Sequence, residues 1–305
     1  YSAVGALMWA PRVGLVSCAV ETYPRATIDR LEQHGIDLAG VTWSDERLTS
    51  CNWFIYDAAG RREEGLSSPP ETLAEAGFPT DRLTPSEVGR WRDILARREA
   101  PGEISYSAFR VRHPLTPDQV PDAWRRARGV HLAPSQPEVM LSMLDAFGPG
   151  GATITADPGW QLAEFSLDEI APILARIDAF LPSEVELHAL VPGAGLADAL
   201  AVIAARCPGA VAVKIGPKGV LVWDRAEARP VAVPPQPTET LDPTGAGDSF
   251  CGGYLAGLVE TGDPVLAARY GAISAARIVA CFGADGMLPP DRAALRATLA
   301  EKVTK

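Results

Sequence analysis

An α/β fold, with a mostly parallel sheet covered by helices on both faces and a second, smaller sheet set apart, is what this sequence predicts. Three observations carry the prediction. From about residue 128 onward, short apolar runs alternate with helix-length segments, the pattern of strands joined by crossover helices. A Gly-rich turn, Gly245-Ala246-Gly247, stands directly before a run in which Phe250, Tyr254 and Leu258 recur at i, i+4 and i+8, one face of a helix. Residues 41–66 change character, with a strand and turn at Trp53 to Arg62 that read as a hairpin. The 305 residues are 47% hydrophobic, enough for a substantial core.

Taken in order, Tyr1–Trp9 reads as a helix entered midway, so residues upstream of it are expected. Val13–Ala19 suits a buried parallel strand, and Tyr23–His34 has helical spacing ending at Gly35, a C-cap. Residues 67–100 hold several prolines, and Thr84-Pro85-Ser86-Glu87 opens an amphipathic helix with a capping box. Ile104–Val111 alternates like a further strand. Residues 42–66 and 103–112 are therefore read as one small sheet with 67–100 inserted between its strands. That makes 1–41 and 113–305 the large domain and 42–112 the small one. Val130–Leu132, Ala152–Ala156 and Ala179–Leu181 are expected strands, and Leu167–Arg176 and Leu196–Arg206 expected helices. Ala210–Gly216 and Gly219–Trp223 flank a Pro-Lys turn as a strand pair, and helices follow at 249–261, 264–280 and 291–303.

Composition limits the partners. A net charge of −10 makes nucleic acid and acidic membrane surfaces poor partners for the chain as a whole, although a local anion site is compatible with it. Cys18, Cys51, Cys207, Cys251 and Cys281 are odd in number and form no Cys-x-x-Cys. They suit a reducing, cytoplasmic setting rather than a disulfide or zinc framework. His34, His113, His131 and His188 are dispersed and form no ligand set. No run of apolar residues is long enough for a membrane span.

The chemistry concentrates at the turn. At a helix N-terminus the first N–H groups have no intrahelical partner and the dipole is positive, so the site binds anions, phosphate above all. Asp248 is the odd member, since a carboxylate repels such a ligand. It either caps the helix or takes a proton from an attacking hydroxyl. No Gly-Lys-Ser/Thr follows the glycines, which excludes a Walker P-loop.

The full string, Asp242-Pro243-Thr244-Gly245-Ala246-Gly247-Asp248-Ser249-Phe250-Cys251-Gly252-Gly253, resembles the second signature of the PfkB-type, ribokinase-like carbohydrate kinases. The resemblance runs unevenly from residue 1 to about 290 and is most specific over 241–257. It implies a ribokinase-like fold with a small β lid, through which relatives often dimerise. It also implies transfer of the γ-phosphate of ATP, with Mg2+, to a hydroxyl of a sugar, nucleoside or related small molecule. Asp248 would then be the general base, the N–H groups of Gly245, Ala246 and Gly247 would hold the phosphoryl charge, and Thr244 would line the cofactor site.

Other positions carry over with alternatives beside them. Lys214-Ile215-Gly216-Pro217-Lys218-Gly219 resembles the family hairpin along the nucleotide, which would put Lys214 near phosphate, Gly216 near ribose or phosphate and Gly219 also at the cofactor; it is otherwise a plain β-turn with a solvated Lys218. Ser183-Glu184-Val185-Glu186 stands where relatives carry Asn-x-x-Glu, whose Glu holds Mg2+ through water. Here Ser183 replaces the Asn, and Ser-x-x-Glu is also a capping box. Asp242 matches a monovalent-cation position completed by late-loop carbonyls near Cys281 and Gly283, or it is an Asx-turn cap. Met287 stands where some relatives have a Ser ligand for K+. At the sugar end, Tyr1 falls about where relatives have Asn, and Val20-Glu21 where they often have Gly-Asp. Asp157-Pro158-Gly159-Trp160 ends a strand at the ligand-binding edge of the sheet, with Trp160 free to stack on a sugar or base or to pack in the core. A rival of another class is a non-catalytic nucleotide binder, motivated by Ser183 and the altered sugar end and opposed by Asp248.

Overall fold

The computed structural model describes residues 1–48, 54–57, 61–64, 70–80, 83–96 and 102–303. The chain forms two compact units: Tyr1–Ser17, Pro24–Val41 and Leu115–Lys305 in the first, Cys18–Tyr23 and Thr42–Pro114 in the second. Near the N-terminus lie helix α1 (Ser2–Leu7), strand β1 (Val13–Val20), helix α2 (Arg25–Gln33) and strand β2 (Ile36–Ser44). Strands β1 and β2 pair as a two-stranded sheet.

The second unit is built from short pieces. Strand β3 (Arg47–Leu48) pairs in parallel with β6 (Glu103–Ile104), and β4 (Phe54–Tyr56) pairs antiparallel with β5 (Arg62–Glu64). Helix α3 (Pro70–Glu75) packs Leu73 with Phe78, and α4 (Pro85–Ala96) starts at the expected capping box, Thr84 N–H donating to Glu87 Oε2 at 2.7 Å. The strand expected over Ile104–Val111 is corrected: after Ile104 the chain turns into helix α5 (Tyr106–Arg112). Ser105 is the cause, since its hydroxyl accepts the Ala108 N–H at 3.2 Å and so closes the first helical turn. Only Phe109 of this helix is buried, and Val111 is 82% exposed, so the alternation had no buried face to serve. Trp53 and the hairpin tip lie outside the described residues.

The first unit holds a six-stranded sheet of β7 (Gly129–Leu132), β8 (Thr153–Ala156), β9 (Ala179–Phe180), β10 (Ala210–Lys214), β11 (Val220–Asp224) and β12 (Arg229–Val233). Its order is β12-β11-β10-β9-β8-β7. β7 through β10 run parallel, and β11 and β12 fold back antiparallel. Successive strand residues point to opposite faces, and the core divides accordingly. Phe180, Val211 and Val213 pack under α6 (Pro137–Phe147), α8 (Leu167–Leu174), α9 (Glu184–Leu190) and α10 (Leu196–Arg206), with α7 (Gly159–Ala163) between β8 and α8. Ala179, Leu181 and Ala212 point the other way, against α11 (Ala246–Thr261) and α12 (Pro264–Ile278). Phe250, Tyr254 and Leu258 are all buried in that layer, as their spacing requires. Helix α13 (Arg292–Val303) joins α1 and α2 in a further apolar cluster around Leu7, Trp9 and Tyr270.

Candidate functional site

The loop before α11 is fixed before the helix begins. The N–H groups of Leu241 and Asp242 both donate to the Val279 carbonyl, at 2.7 and 3.1 Å. Asp242 Oδ1 accepts the Thr244 N–H at 2.9 Å, an Asx turn. Gly245 follows at φ +79° as the N-cap residue, a conformation that favours glycine. The Ala246 N–H reaches back to the Pro243 carbonyl at 3.3 Å. Among the described residues, the N–H groups of Gly245, Gly247 and Asp248 have no protein partner. They crown a 16-residue helix, whose dipole adds positive potential there. The Asp248 carboxylate, in the first turn and half-buried, takes no hydrogen bond from the described residues. A helix-capping Asp would be engaged with those N–H groups; this one is not.

Beside the turn lies a polar cluster built from three strand ends and two helices. Lys214, the last residue of β10, places Nζ and Cδ 3.8 Å from where a Cβ on Gly247 would stand. Its ammonium pairs with Asp157 Oδ2 at 2.5 Å and touches Cys251 Sγ at 3.5 Å. Burial pulls the Lys214 pKa down, but Asp157 above all, then Cys251 and Glu186, more than reverse this, leaving it raised. Ser183, bridged to Lys214, accepts the Glu186 N–H at 3.3 Å, while Glu186 Oε2 accepts the Ser183 N–H at 2.7 Å. The capping box is therefore formed. Burial and then the Asp157 charge push the Glu186 carboxyl above its ordinary value, opposed by Lys214. The same carboxylate thus serves the helix start and faces the cluster.

His131 on β7 completes the group. Its Nδ1 meets Thr155 Oγ1 at 2.9 Å, and its Nε2 is shielded with no protein partner. Burial pushes the imidazole down to about 4, so the ring is neutral at pH 7. The sequence pointed to Asp157 only through its position at a strand end, and nothing in the sequence distinguished His131 from the other histidines. The side chain of Trp160 lies outside the described residues.

The late loop comes together with the start of the turn. Cys281 Sγ lies 3.7 Å from the Gly283 carbonyl. Burial raises the Cys281 thiol pKa, with the charges of Asp242 and Asp285 adding to it, so Asp242, Cys281 and Gly283 share one neighbourhood. Met287 packs against the apolar cluster of α1 and α12 and has no side-chain oxygen. Gly216 and Gly219 sit in the turn after Lys214 at φ +58° and +97°. No hydrogen bond links them to the Gly245 turn among the described residues. At the N-terminus, the Tyr1 ring lies against Gly245, where any Cβ would collide with it. Glu21 is exposed, and its N–H donates to the Ser44 carbonyl at 2.9 Å. A cavity of about 630 Å³ opens elsewhere, lined by Thr153, Gly209, Ala210, Leu258 and Asp263. That is the strands' amino end and the far end of α11, whereas α/β ligands bind at strand carboxyl ends. Among the described residues no cluster of three or more His, Cys, Asp or Glu is placed to hold a metal, and no helix is long and apolar enough to cross a membrane.

Comparison with known proteins bears on the family and the fold. The chain is 30% identical over 139 residues to a cytidine kinase of Thermococcus kodakarensis, covering 45% of this chain and 50% of that protein. It spans about half the length of the first curated relatives it matches. Among solved structures, it superposes on a nucleoside kinase of Methanocaldococcus jannaschii with a TM-score of 0.63 at 20% identity, covering 98% of this chain and 84% of that one. A putative ribokinase II of E. coli, solved with ATP and Mg2+, gives a TM-score of 0.65 at 18% identity, covering 99% of this chain and 87% of that one. At these identities the structures establish the ribokinase-like fold. Residues 124–291, which include the polar cluster, the Gly245 turn and the late loop, match the pfkB carbohydrate kinases over more than half of the chain, and the chain belongs to that family.

Proposed function

We propose that this chain transfers the γ-phosphate of ATP to a hydroxyl of a sugar or of the sugar moiety of a nucleoside. The observation that carries the reading is the pairing of N–H groups at Gly245, Gly247 and Asp248 that have no partner among the described residues with a carboxylate on Asp248 that accepts no hydrogen bond from them. Phosphoryl transfer requires mainly positioning and electrostatic stabilisation. The turn holds the charge of the transferring group, and Asp248 accepts the hydroxyl proton as the new P–O bond forms and the bond from the γ-phosphorus to the bridging oxygen breaks, releasing ADP. Mg2+ neutralises the triphosphate when bound, and Glu186 is the residue that would hold it, through water. Lys214 meets the phosphate chain, and Thr244, Gly216, Gly219 and Ser183 border the nucleotide. Asp242, Cys281 and Gly283 are the residues for a monovalent cation, with Met287 withdrawn from that set.

Two observations favour a nucleoside as acceptor. The Tyr1 ring lies against Gly245 at the turn that bears Asp248, and the matched relatives include a cytidine kinase and a nucleoside kinase. The test is ATP turnover across a panel of sugars and nucleosides, with and without EDTA. We expect turnover on at least one acceptor, abolished by EDTA; phosphate transfer to none, or activity surviving EDTA, overturns the reading. Equal rates in Na+, K+ and large organic cations would remove the monovalent cation. To the second unit we assign the role of a lid that dimerises through its short strands, whose open edges need cover. Small-angle scattering should then report a dimer, and a monomer would dismiss that pairing.

A further inference from the structure

We propose that Asp157 is a positioning residue of the phosphate site, holding the Lys214 ammonium beside Gly247 and tying it to the first turns of α11. The inference rests on the phosphotransfer reading for its purpose, and on geometry for its substance. Asp157 is only 4% exposed and directly follows β8 at the carboxyl end of the parallel strands. Its Oδ2 accepts from Lys214 Nζ at 2.5 Å and from the Cys251 thiol at 3.3 Å, and its Oδ1 accepts the Gly159 N–H at 3.3 Å. One carboxylate thus connects the end of β8, the end of β10 and the helix that carries Asp248 one turn before Cys251.

Such a pair is a poor device for stability alone. Desolvating two charges costs several kcal/mol, and apolar replacements of similar volume are often as stable. Its location gives it another use. The Lys214 side chain is fixed within van der Waals reach of the Gly247 position, so an arriving phosphate meets a cation already in place, with no side-chain ordering left to pay for. A lysine buried without a counter-charge loses its proton readily. The groups facing Lys214 are Asp157, Glu186 from α9, Cys251 from α11 and His131 from β7. Cys251 stays a thiol, since burial raises its pKa well above the ordinary value, and His131 is neutral. Asp157 and Glu186 therefore supply the opposing charge, and of these Asp157 alone contacts the ammonium.

The experiment measures Mg·ATP binding by calorimetry, and KM and kcat on the panel's best acceptor, from about pH 6 to about pH 10, in the wild type, Asp157→Asn, Asp157→Glu and Lys214→Met. Asp157→Asn should raise the Kd and KM for ATP by roughly 10²-fold. It should also introduce an alkaline limb, with affinity falling as pH rises through the lowered Lys214 pKa, which the wild type lacks in this range. Asp157→Glu keeps the charge but displaces it by one methylene, so about a tenfold rise in Kd is expected without the limb. Lys214→Met should lose affinity without a limb, and adding Asp157→Asn to it should cost nothing more. Wild-type ATP affinity across the pH range in Asp157→Asn overturns the proposal, whatever happens to its melting temperature. If Asp157→Asn does not fold, unchanged Kd in folded Asp157→Glu overturns it equally. Binding is read without an acceptor: a chain that shows this pH behaviour but phosphorylates nothing overturns the phosphotransfer reading and supports the Asp157 assignment.

Discussion

Asp248→Asn is expected to lower kcat by about 10²–10⁴ while leaving ATP affinity unchanged or improved. Asn is nearly isosteric and can stand in the first turn of a helix, so the start of α11 should survive. The carboxylate it removes makes no hydrogen bond to the described residues, so no side-chain hydrogen bond among them is lost. What disappears is the proposed acceptor for the hydroxyl proton, together with one negative charge in the first turn of α11. The companion variant is Gly247→Ala. Its new Cβ would lie 3.8 Å from Lys214 Cδ and Nζ, ordinary van der Waals contact, and its backbone is helical. The fold should accept it, so its effect falls on the space where phosphate approaches the N–H groups, and ATP Kd should rise. Steady-state rates and calorimetry on the two variants separate catalysis from binding. If Asp248→Asn retains near wild-type kcat on the identified acceptor, Asp248 is not the base.

Most of the large unit is legible in the sequence because its elements have strong, local causes. The β8–β10 strands are short, largely buried runs, and the Phe250, Tyr254, Leu258 spacing leads directly to a helix packed under them. The turn is legible because each residue in it has a separate requirement: an Asx turn at Asp242, positive φ at Gly245, close approach at Gly247. The second unit is harder to read. Its strands are two or three residues long, too short for a period to register, and at 104–111 a single serine cap outweighs an apparent alternation. Strand β2 also passes unnoticed, since Ile36–Ser44 mixes small, charged and aromatic residues and is buried only at intervals. That the polar residues form one cluster is not legible, for a different reason. Asp157, Lys214, Glu186, Cys251 and His131 are far apart in sequence and meet only because parallel strands end at one edge. Spacing rules cannot report a meeting made by sheet order.

Gly252→Val should be the most damaging substitution for stability, costing about 3 kcal/mol or more. Helix α11 crosses α1 at this point with almost no separation. A Cβ on Gly252 would overlap the Ser2 carbonyl oxygen and the Ala6 nitrogen, and a Cβ on Gly5 would run into the backbone of Ser249. The obstacles are main-chain atoms, so no rotamer change relieves them, and one helix must move. Any gain in helix propensity from replacing glycine is about 1 kcal/mol and cannot offset that. Gly89→Val is the control, since Gly89 is exposed in α4 and a Cβ there meets nothing within 4 Å; it should be neutral or slightly stabilising. Thermal denaturation should show Gly252→Val melting lower by roughly 5–10 °C. A variant within 1 kcal/mol of wild type, on the scale where surface substitutions fall, would mean that the crossing tolerates separation. The crossing also has a functional consequence. Displacing α1 moves Tyr1, whose ring lies on Gly245. Whatever fraction of Gly252→Val remains folded should therefore show a raised KM for the acceptor, because the helix that carries Asp248 and the residue beside the turn are located by the same contact.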